Sequence, residues 1–500
     1  MFGFLNFGKE TRRINKIIAE GAKTRMTDKQ FLEREIAKFK NSPKRKLMIE
    51  GERYYQGDHD ILNRKRTVIG ENGQLQEVEN LPNNKIVDNQ YAKMVDQKVN
   101  YLLGQPLTFD SENKTYVDLL KKIFNNRFQR TLKNIGQDAL NGGIAWLHPY
   151  YNEHGELAFK KFEPYEILPF WKDAEHTILD FAVRIYEVEA YEGTKEVIIE
   201  KVEVYSTKGI DRYVLQNGTL IPDVENPSSN YIVVIDEDGK EVSYNWEKIP
   251  LIPFKYNNKE IPLIKKVKSL QDGINTILSD FENNMQEDTR NTILVLVNYD
   301  GQNLGEFRRN LAQYGAVKVK TVDGATGDLK TLTVEVNSDN YKAILEIFKK
   351  ALIENAMGYD AKDDRLAGNP NQMNILSMYS DIDLDANGME TEFQASFEEL
   401  LWFVNTHLAN TGKGDFSNET VTVIFNRDIM MNESEVIDNC KKSVGILSNE
   451  TIVGQHPWVD DVKKELQRIK DEKQAAMDEM NEYANAFNPV NPSGGGDDEE

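Results

Sequence analysis

The sequence predicts an α+β fold. Apolar residues recur at helical spacing from Val87 to Leu102, from Val267 to Met285 and from Ile375 to Leu401. Between the first two runs, residues Ile144 to Tyr256 alternate with the two-residue period of strands. Hairpin signals such as Asn217-Gly218 fall inside that block, which points to a meandering antiparallel sheet.

The elements follow in order. A helical pattern starts at Thr27, where Thr27 and Gln30 have capping-box spacing, and runs with interruptions to Tyr54, Tyr55 and the breaker Gly57. Glu71-Asn72-Gly73 marks a hairpin within residues Thr67 to Glu79, and the helix through Val87, Tyr91, Met94, Val95, Val99 and Leu102 stops at Gly104 and Pro106. Two more helices, Tyr116 to Phe124 and Phe128 to Leu140, end at Gly142-Gly143. Within the β block, Asp236-Glu-Asp-Gly239 separates the alternating segments Tyr231 to Ile235 and Glu241 to Trp246.

After Pro262 one long amphipathic helix is expected. Its stripe is Val267, Leu270, Ile274, Ile277, Leu278, Phe281 and Met285, and Asp272, Asn275, Glu282 and Asn283 fall outside it. A small α/β insert follows, with strands at Ile293 to Val297, Ala316 to Thr321 and Leu329 to Val336 and a short helix from Leu304 to Tyr314. Ser338 caps a second helix through Ile344, Leu345, Phe348, Leu352 and Met357, so two helices flank the insert. A charged loop rich in Gly and Pro, 358–371, leads into the long helical run from Ile375. One strand at Val421 to Phe425, a unit capped by Ser448, a charged helix from Val462 to Tyr483 and a disordered acidic tail complete the chain.

Composition narrows the function classes. The 500 residues, 39% of them apolar, suffice for a large core and several domains. The net charge of −21 repels a phosphate backbone, which disfavours a tight, sequence-reading DNA binder. It remains compatible with a conduit, because strong phosphate contacts would brake sliding DNA. One cysteine, Cys440, allows no disulfide within the chain and fits a reducing compartment. No apolar run approaches the ~18 residues of a membrane helix, so no membrane association and a cytosolic origin are expected.

Motifs of catalysis fail on inspection. Gly3 to Lys9 has phosphate-loop spacing, but Glu10 stands where a hydroxyl should ligate magnesium. Asp381, Asp383, Asp385 and Glu392 match a calcium loop, yet Ala386 occupies the place of its turn glycine. Met378, Ile382, Ala386, Met389 and Phe393 instead continue a helical stripe that scatters those carboxylates around an axis. No two of the six histidines have the spacing of a helical zinc site, and no nucleophile elbow is present. No enzyme, cofactor or metal is expected. The competing readings are a nucleic-acid-processing enzyme and a structural protein.

Three blocks carry a resemblance. The first is Tyr54-Tyr55-x-Gly57-Asp58-His59-x-Ile61 with Asn83 to Val87 and Val99 to Pro106. The second is Ile249 to Asn258 with Leu270-Gln271-Asp272-Gly273-Ile274-Asn275, Ser279, Ile293 to Val297 and Gly301. The third is Gly445-Ile-Leu-Ser448-x-Glu450-Thr451 with Pro457, Val459, Asp461, Glu465, Leu466 and Ile469. Together they resemble the portal proteins of tailed bacteriophages, the head-tail connectors, particularly the siphophage type of Gram-positive hosts. Gly368-Asn369-Pro370-Asn371-Gln372-Met373 departs from the small, Ser/Gly-rich residues usual after that family's charged loop.

The resemblance implies a portal fold with a mixed α/β wing, a two-helix stem, a small α/β clip, a long spine helix and a helical crown. The N-terminal helices and wing would occupy 1–261, the stem helices 262–290 and 338–357, the clip 291–337 and the tunnel loop 358–373. A long wing helix and strand would fill 374–431, the crown 432–483 and the disordered tail 484–500. Lys362, Asp363, Asp364 and Arg365 would form the tip of the loop facing DNA. Arg308, Arg309 and Tyr314 would form a docking surface on the clip. Val267, Leu270, Ile274, Ile277, Phe281 and Met285 would pack the stem. The implied partners are further copies in a ring of about twelve, double-stranded DNA without sequence specificity, the terminase large subunit, a head-completion adaptor, and major capsid and scaffolding proteins. The implied location is the portal vertex of the virion, with assembly in the host cytoplasm.

Overall fold

The computed structural model describes residues 29–69, 73–79, 81–235, 239–288, 293–297, 328–332, 338–360, 372–427, 433–459 and 461–487. Among them, 29–359 with 381–427 make one compact unit, and 372–380 with 433–487 make the other. The architecture is α+β, as the alternation of periods predicts.

The first unit opens with α1 (Lys29–Lys40) and α2 (Pro43–Tyr55). The long N-terminal run is broken because Ser42 takes an extended conformation and its Oγ accepts from the Arg45 N–H at 3.1 Å, while Pro43 fills the first helical position. A short hairpin, β1 (Thr67–Ile69) and β2 (Leu75–Glu77), precedes α3 (Gln90–Leu103). Then come β3 (Thr108–Asp110), α4 (Lys114–Ile123) and α5 (Asn126–Gly142). Asn89, Asn113 and Asn125 cap α3, α4 and α5 through their side-chain oxygens. Gly143 closes α5 in the left-handed conformation, and a Cβ there would lie 2.3 Å from the Glu260 carbonyl oxygen, so only glycine lets the two backbones meet.

The β block forms two antiparallel sheets. β4 (Ile144–Tyr151), β5 (Leu157–Phe162) and β13 (Ile252–Lys255) pair in the order β13-β4-β5. β6 (Ile167–Trp171), β7 (Leu179–Glu192), β8 (Lys195–Ser206), β9 (Gly209–Gln216) and β10 (Thr219–Pro222) form a meander in sequence order. The β9–β10 turn is Asn217-Gly218, both residues with positive φ, which is the geometry a tight two-residue hairpin demands. β11 (Ile232–Ile235) and β12 (Glu241–Tyr244) make a separate hairpin. Ile36, Phe39, Trp146, Phe170, Phe181, Val202 and Val204 lie in the core where α1 meets the sheets.

Two helices then run as a pair: α6 (Ile264–Asp288) and α7 (Ser338–Asn355). Between them β14 (Ile293–Val297) pairs antiparallel with β15 (Asp328–Leu332). The remaining strand and helix expected in that insert lie outside the described residues. α8 (Gln372–Asn410) has 39 residues, and β16 (Thr422–Ile424) pairs with β3. The part of α8 in the first unit buries Phe393 and Phe397 among Phe124, Phe128, Phe254 and Phe425.

The second unit holds the start of α8 together with α9 (Glu433–Lys442), α10 (Asn449–Gly454) and α11 (Val462–Phe487). Ser448 caps α10, its Oγ accepting from the Thr451 N–H at 3.2 Å. Cys440 is buried and unpaired, its Sγ 3.7 Å from the Ile452 carbonyl.

Candidate functional site

The long helix α6 corrects one expectation. Of its predicted stripe, Val267 and Ile274 are buried, Leu270, Ile277, Leu278 and Phe281 are half-buried, and Met285 is 50% exposed. The deeply buried row consists of Gln271, Asn275, Ser279 and Asn283, so Asn275 and Asn283 do not lie outside the packed face. Apolar periodicity misses them because all four are polar. Their spacing of four residues puts them on one line along the helix.

That line binds a stretch of extended backbone. The N–H groups of Asn84, Ile86 and Asp88 donate to Asn283 Oδ1, Ser279 Oγ and Asn275 Oδ1 at 2.7, 2.9 and 3.0 Å. The Tyr91 N–H donates to Gln271 Oε1 at 2.9 Å, and Gln271 Nε2 donates back to the Asp88 carbonyl at 2.8 Å. The match is geometric: alternate residues of an extended chain advance ~6.6 Å and four residues of a helix advance ~6 Å, so two unlike elements stay in register.

His59 locks the centre of this row. Its Nε2 lies 2.9 Å from the Tyr54 carbonyl and its Nδ1 lies 2.7 Å from Asn275 Nδ2. The Asn275 Oδ1 already accepts from Asp88 and Gln271, so Nδ2 must be the donor and Nδ1 the acceptor. The ring is therefore neutral with its proton on Nε2. Burial holds His59 below the usual histidine value.

Beside the row, Lys268 reaches Asp60 at 2.6 Å and Asp272 at 2.8 Å, and Arg53 reaches Asp60 at 2.5 Å. Burial alone would raise the Asp60 carboxyl, but the hydrogen bonds from Lys268 and Arg53 win and bring it down to about 2. The Tyr54 hydroxyl donates to Asp272 at 2.5 Å. These charges tie α2 to the first turns of α6.

The paired helices touch closely. A Cβ on Gly273 would lie 2.5 Å from the Phe348 ring, so glycine lets α7 approach. Phe281 meets Tyr341 with ring centroids 5.1 Å apart, Asn284 donates to the Tyr341 hydroxyl at 2.8 Å, and Lys349 pairs with Asp88 at 2.7 Å. Ile344 and Ile347 on α7 remain 44% and 63% exposed.

Where α7 ends, the backbone is clamped to α3. Lys98 donates to the Met357 carbonyl at 3.0 Å and pairs with Asp385 at 2.6 Å. Gln97 bonds both the N–H and the carbonyl of Tyr359, at 3.0 and 2.9 Å. Tyr256 donates its hydroxyl to Asp385 at 2.9 Å. Burial lowers the Lys98 ammonium from its usual value, against the pull of Asp385. Met357 has positive φ, and a Cβ on Gly358 would come 2.7 Å from Met94 Sδ. Neither Lys98 nor Gln97 stands out in the sequence.

The calcium-like carboxylates lie on α8. Asp383 is held by Arg427 and by the Tyr101 hydroxyl, and Arg427 also reaches Asn387 and Glu390. Asp385 faces Lys98, and Asp381 is exposed. Among the described residues, no group of three or more His, Cys, Asp or Glu could hold a metal ion, and no helix is long and apolar enough to cross a membrane. Gly3 to Lys9, Lys362, Asp363, Asp364, Arg365, Arg308, Arg309 and Tyr314 lie outside the described residues.

The sequence matches the family described as "Phage portal protein, SPP1 Gp6-like" over residues 38–479. It is 30% identical over 493 residues to the portal protein of Bacillus phage SPP1, covering 98% of this chain and 94% of that protein. It is 28% identical over 463 residues to the portal protein of Clostridium phage phiCD119, covering 89% and 97% of the two chains. Portal proteins are structural components of virions rather than enzymes; they form oligomeric rings associated with the capsid and serve in genome packaging. With a match from the second helix to the last, and the paired helices, insert and meander in one order, the chain belongs to the phage portal protein family.

Proposed function

We propose that the chain forms a ring of about twelve copies at one vertex of the capsid, through which double-stranded DNA enters and leaves without sequence-specific contact. The observation that carries this reading is the α6–α7 pair. Met285, Ile344 and Ile347 stay exposed in a single subunit, and a closed ring supplies the same helices of neighbouring subunits to cover them. In this reading 262–290 and 338–357 are the stem, and Val267, Leu270, Ile274, Ile277, Phe281 and Met285 serve packing within and between subunits.

Residues 291–337 form the clip, where Arg308, Arg309 and Tyr314 dock the terminase large subunit during packaging and the head-completion adaptor afterwards. The terminase hydrolyses ATP and the ring is passive. Residues 358–373 form the tunnel loop, with Lys362, Asp363, Asp364 and Arg365 toward the DNA backbone. The clamp of Lys98 and Gln97 on residues 357–359 supports this reading, since a loop that meets moving DNA needs a fixed root. The wing and crown face the major capsid and scaffolding proteins, and assembly takes place in the host cytoplasm.

The test is packaging. Particles carrying Lys362→Ala with Arg365→Ala should assemble normal heads and package DNA at an altered rate or to an altered length. Normal heads with unchanged packaging would remove the loop from the DNA path.

A further inference from the structure

Helix α11 carries a pattern that packing among the described residues does not use. Val462, Leu466, Ile469, Lys473, Ala476 and Met480 are spaced four, three, four, three and four residues apart, and the sequence continues the series at Tyr483 and Phe487. This is the 3.5-residue period of a seam between helices. The first part of the seam is half-covered: Val462 lies 3.5 Å from where a Cβ on Gly454 of α10 would be, and Leu466 and Ile469 are half-buried. From Lys470 to Met480 every residue is exposed, Met477 by 61% and Met480 by 74%. Among the described residues nothing covers these three turns, and a helix bare all round is not stable by propensity alone, so the face calls for a partner.

The flanks of the seam identify that partner. One flank holds Glu465, Glu472 and Glu479, and the other holds Lys463, Lys470 and Met477. An antiparallel pair of copies would set the acidic flank against itself, which is repulsive. Parallel copies set side by side put Glu465 of one beside Lys470 of the next and Glu472 beside Met477, so no like charges meet, and each copy keeps an unused flank for a further neighbour. That is a head-to-tail contact, the type that closes into a ring. Rotation about a ring axis also leaves corresponding helices pointing the same way along it. We propose that the exposed half of α11 packs in parallel against α11 of the neighbouring subunit, Glu472 of one copy beside Met477 of the next, and closes a second belt of contacts between subunits. This inference rests on the ring reading above.

Disulfide trapping in the full chain tests it. In a Cys440→Ser background, Glu472→Cys and Met477→Cys are made singly and together, and rings are counted by native mass spectrometry before oxidation. The two positions lie ~7.5 Å apart along one helix axis and point to different sides, so they cannot bond within a chain. The expected result is a ladder of covalent multimers beyond the dimer in the double variant and no cross-link in either single variant. Dimers from a single variant, or a double variant that stops at dimers, overturn head-to-tail packing. Intact rings that never cross-link show that these helices do not meet and overturn the inference alone. A wild-type chain that stays monomeric at every concentration overturns the ring reading and this inference with it.

Discussion

The backbone N–H of Ile86 donates to the Ser279 hydroxyl at 2.9 Å, across 193 residues of sequence. It is one of three such bonds by which one helix holds a strand-like segment without any sheet, and a fourth comes from the Tyr91 N–H in the first turn of α3. Each satisfies a backbone donor that is buried or partly buried. Helix α6 is thereby joined to the N-terminal part of the chain through direction-dependent contacts, which fix its axial position more strictly than apolar packing would.

Asn275 serves three partners, and Asn275→Ala strands the Asp88 N–H, His59 Nδ1 and one of the two N–H groups of Gln271 Nε2, the other of which keeps the Asp88 carbonyl. The expected loss is about 2–4 kcal/mol, against about 1 kcal/mol for Ser279→Ala, since stranded buried groups each cost more than the mean hydrogen bond. Urea denaturation of the two variants checks the order; equal midpoints would contradict it.

His59 and His148 should make stability depend on pH. His148 is fully buried, with Nδ1 against the Pro250 carbonyl, and burial brings it down to about 3. Both rings are neutral in the fold and titrate near 6.5 once unfolded. Their contribution is complete above about 6.5 and is lost as pH falls toward the folded values, because only the unfolded chain binds the protons. Unfolding measured from pH 7.5 down to 4 should show wild type losing stability faster than His59→Gln.

Lys98→Met removes one partner of a buried pair and leaves Asp385 facing Tyr256, with Lys266 3.9 Å away. Breaking such a pair costs about 3–5 kcal/mol, and the added methyl packing recovers only part. Hydrogen exchange should rise at residues 357–360, where the Met357 carbonyl loses its clamp. Unchanged exchange there would show that Lys98 does not hold the backbone.

Gly273→Ala places a methyl 2.5 Å from the Phe348 ring. The better helix propensity of alanine, about 1 kcal/mol, is outweighed by overpacking at 1–3 kcal/mol, so destabilisation is expected in a thermal melt. Gly388 is also on a helix and has open space around it, so Gly388→Ala should be neutral or stabilising and serves as the control.

Phe281→Asp puts a charge beside Tyr341 on a half-buried face of α6. Ring yield should fall more than subunit stability does. Intact rings with unchanged heat resistance would contradict the proposed stem contact.

Much of the fold is legible locally. Asn217-Gly218 announces its turn because both residues tolerate positive φ, and the helix, insert, helix order follows from one change of period after Pro262 and another at Ser338. The break at Ser42 is also written in the sequence, since Ser-Pro is a helix start, but the surrounding helical period hides it. The polar row on α6 was visible as four hydrogen-bonding side chains at four-residue spacing, a pattern that a count of apolar residues passes over. Lys98 and Asp385, 287 positions apart, carry no local mark, because nothing near either residue says where its partner lies.

The most direct test of the central claim is electron microscopy of the purified full chain. Closed rings are expected, near twelve-fold in projection, with an axial channel wide enough for a DNA duplex. Stable monomers or dimers, or rings whose centre is closed to duplex DNA, would contradict it.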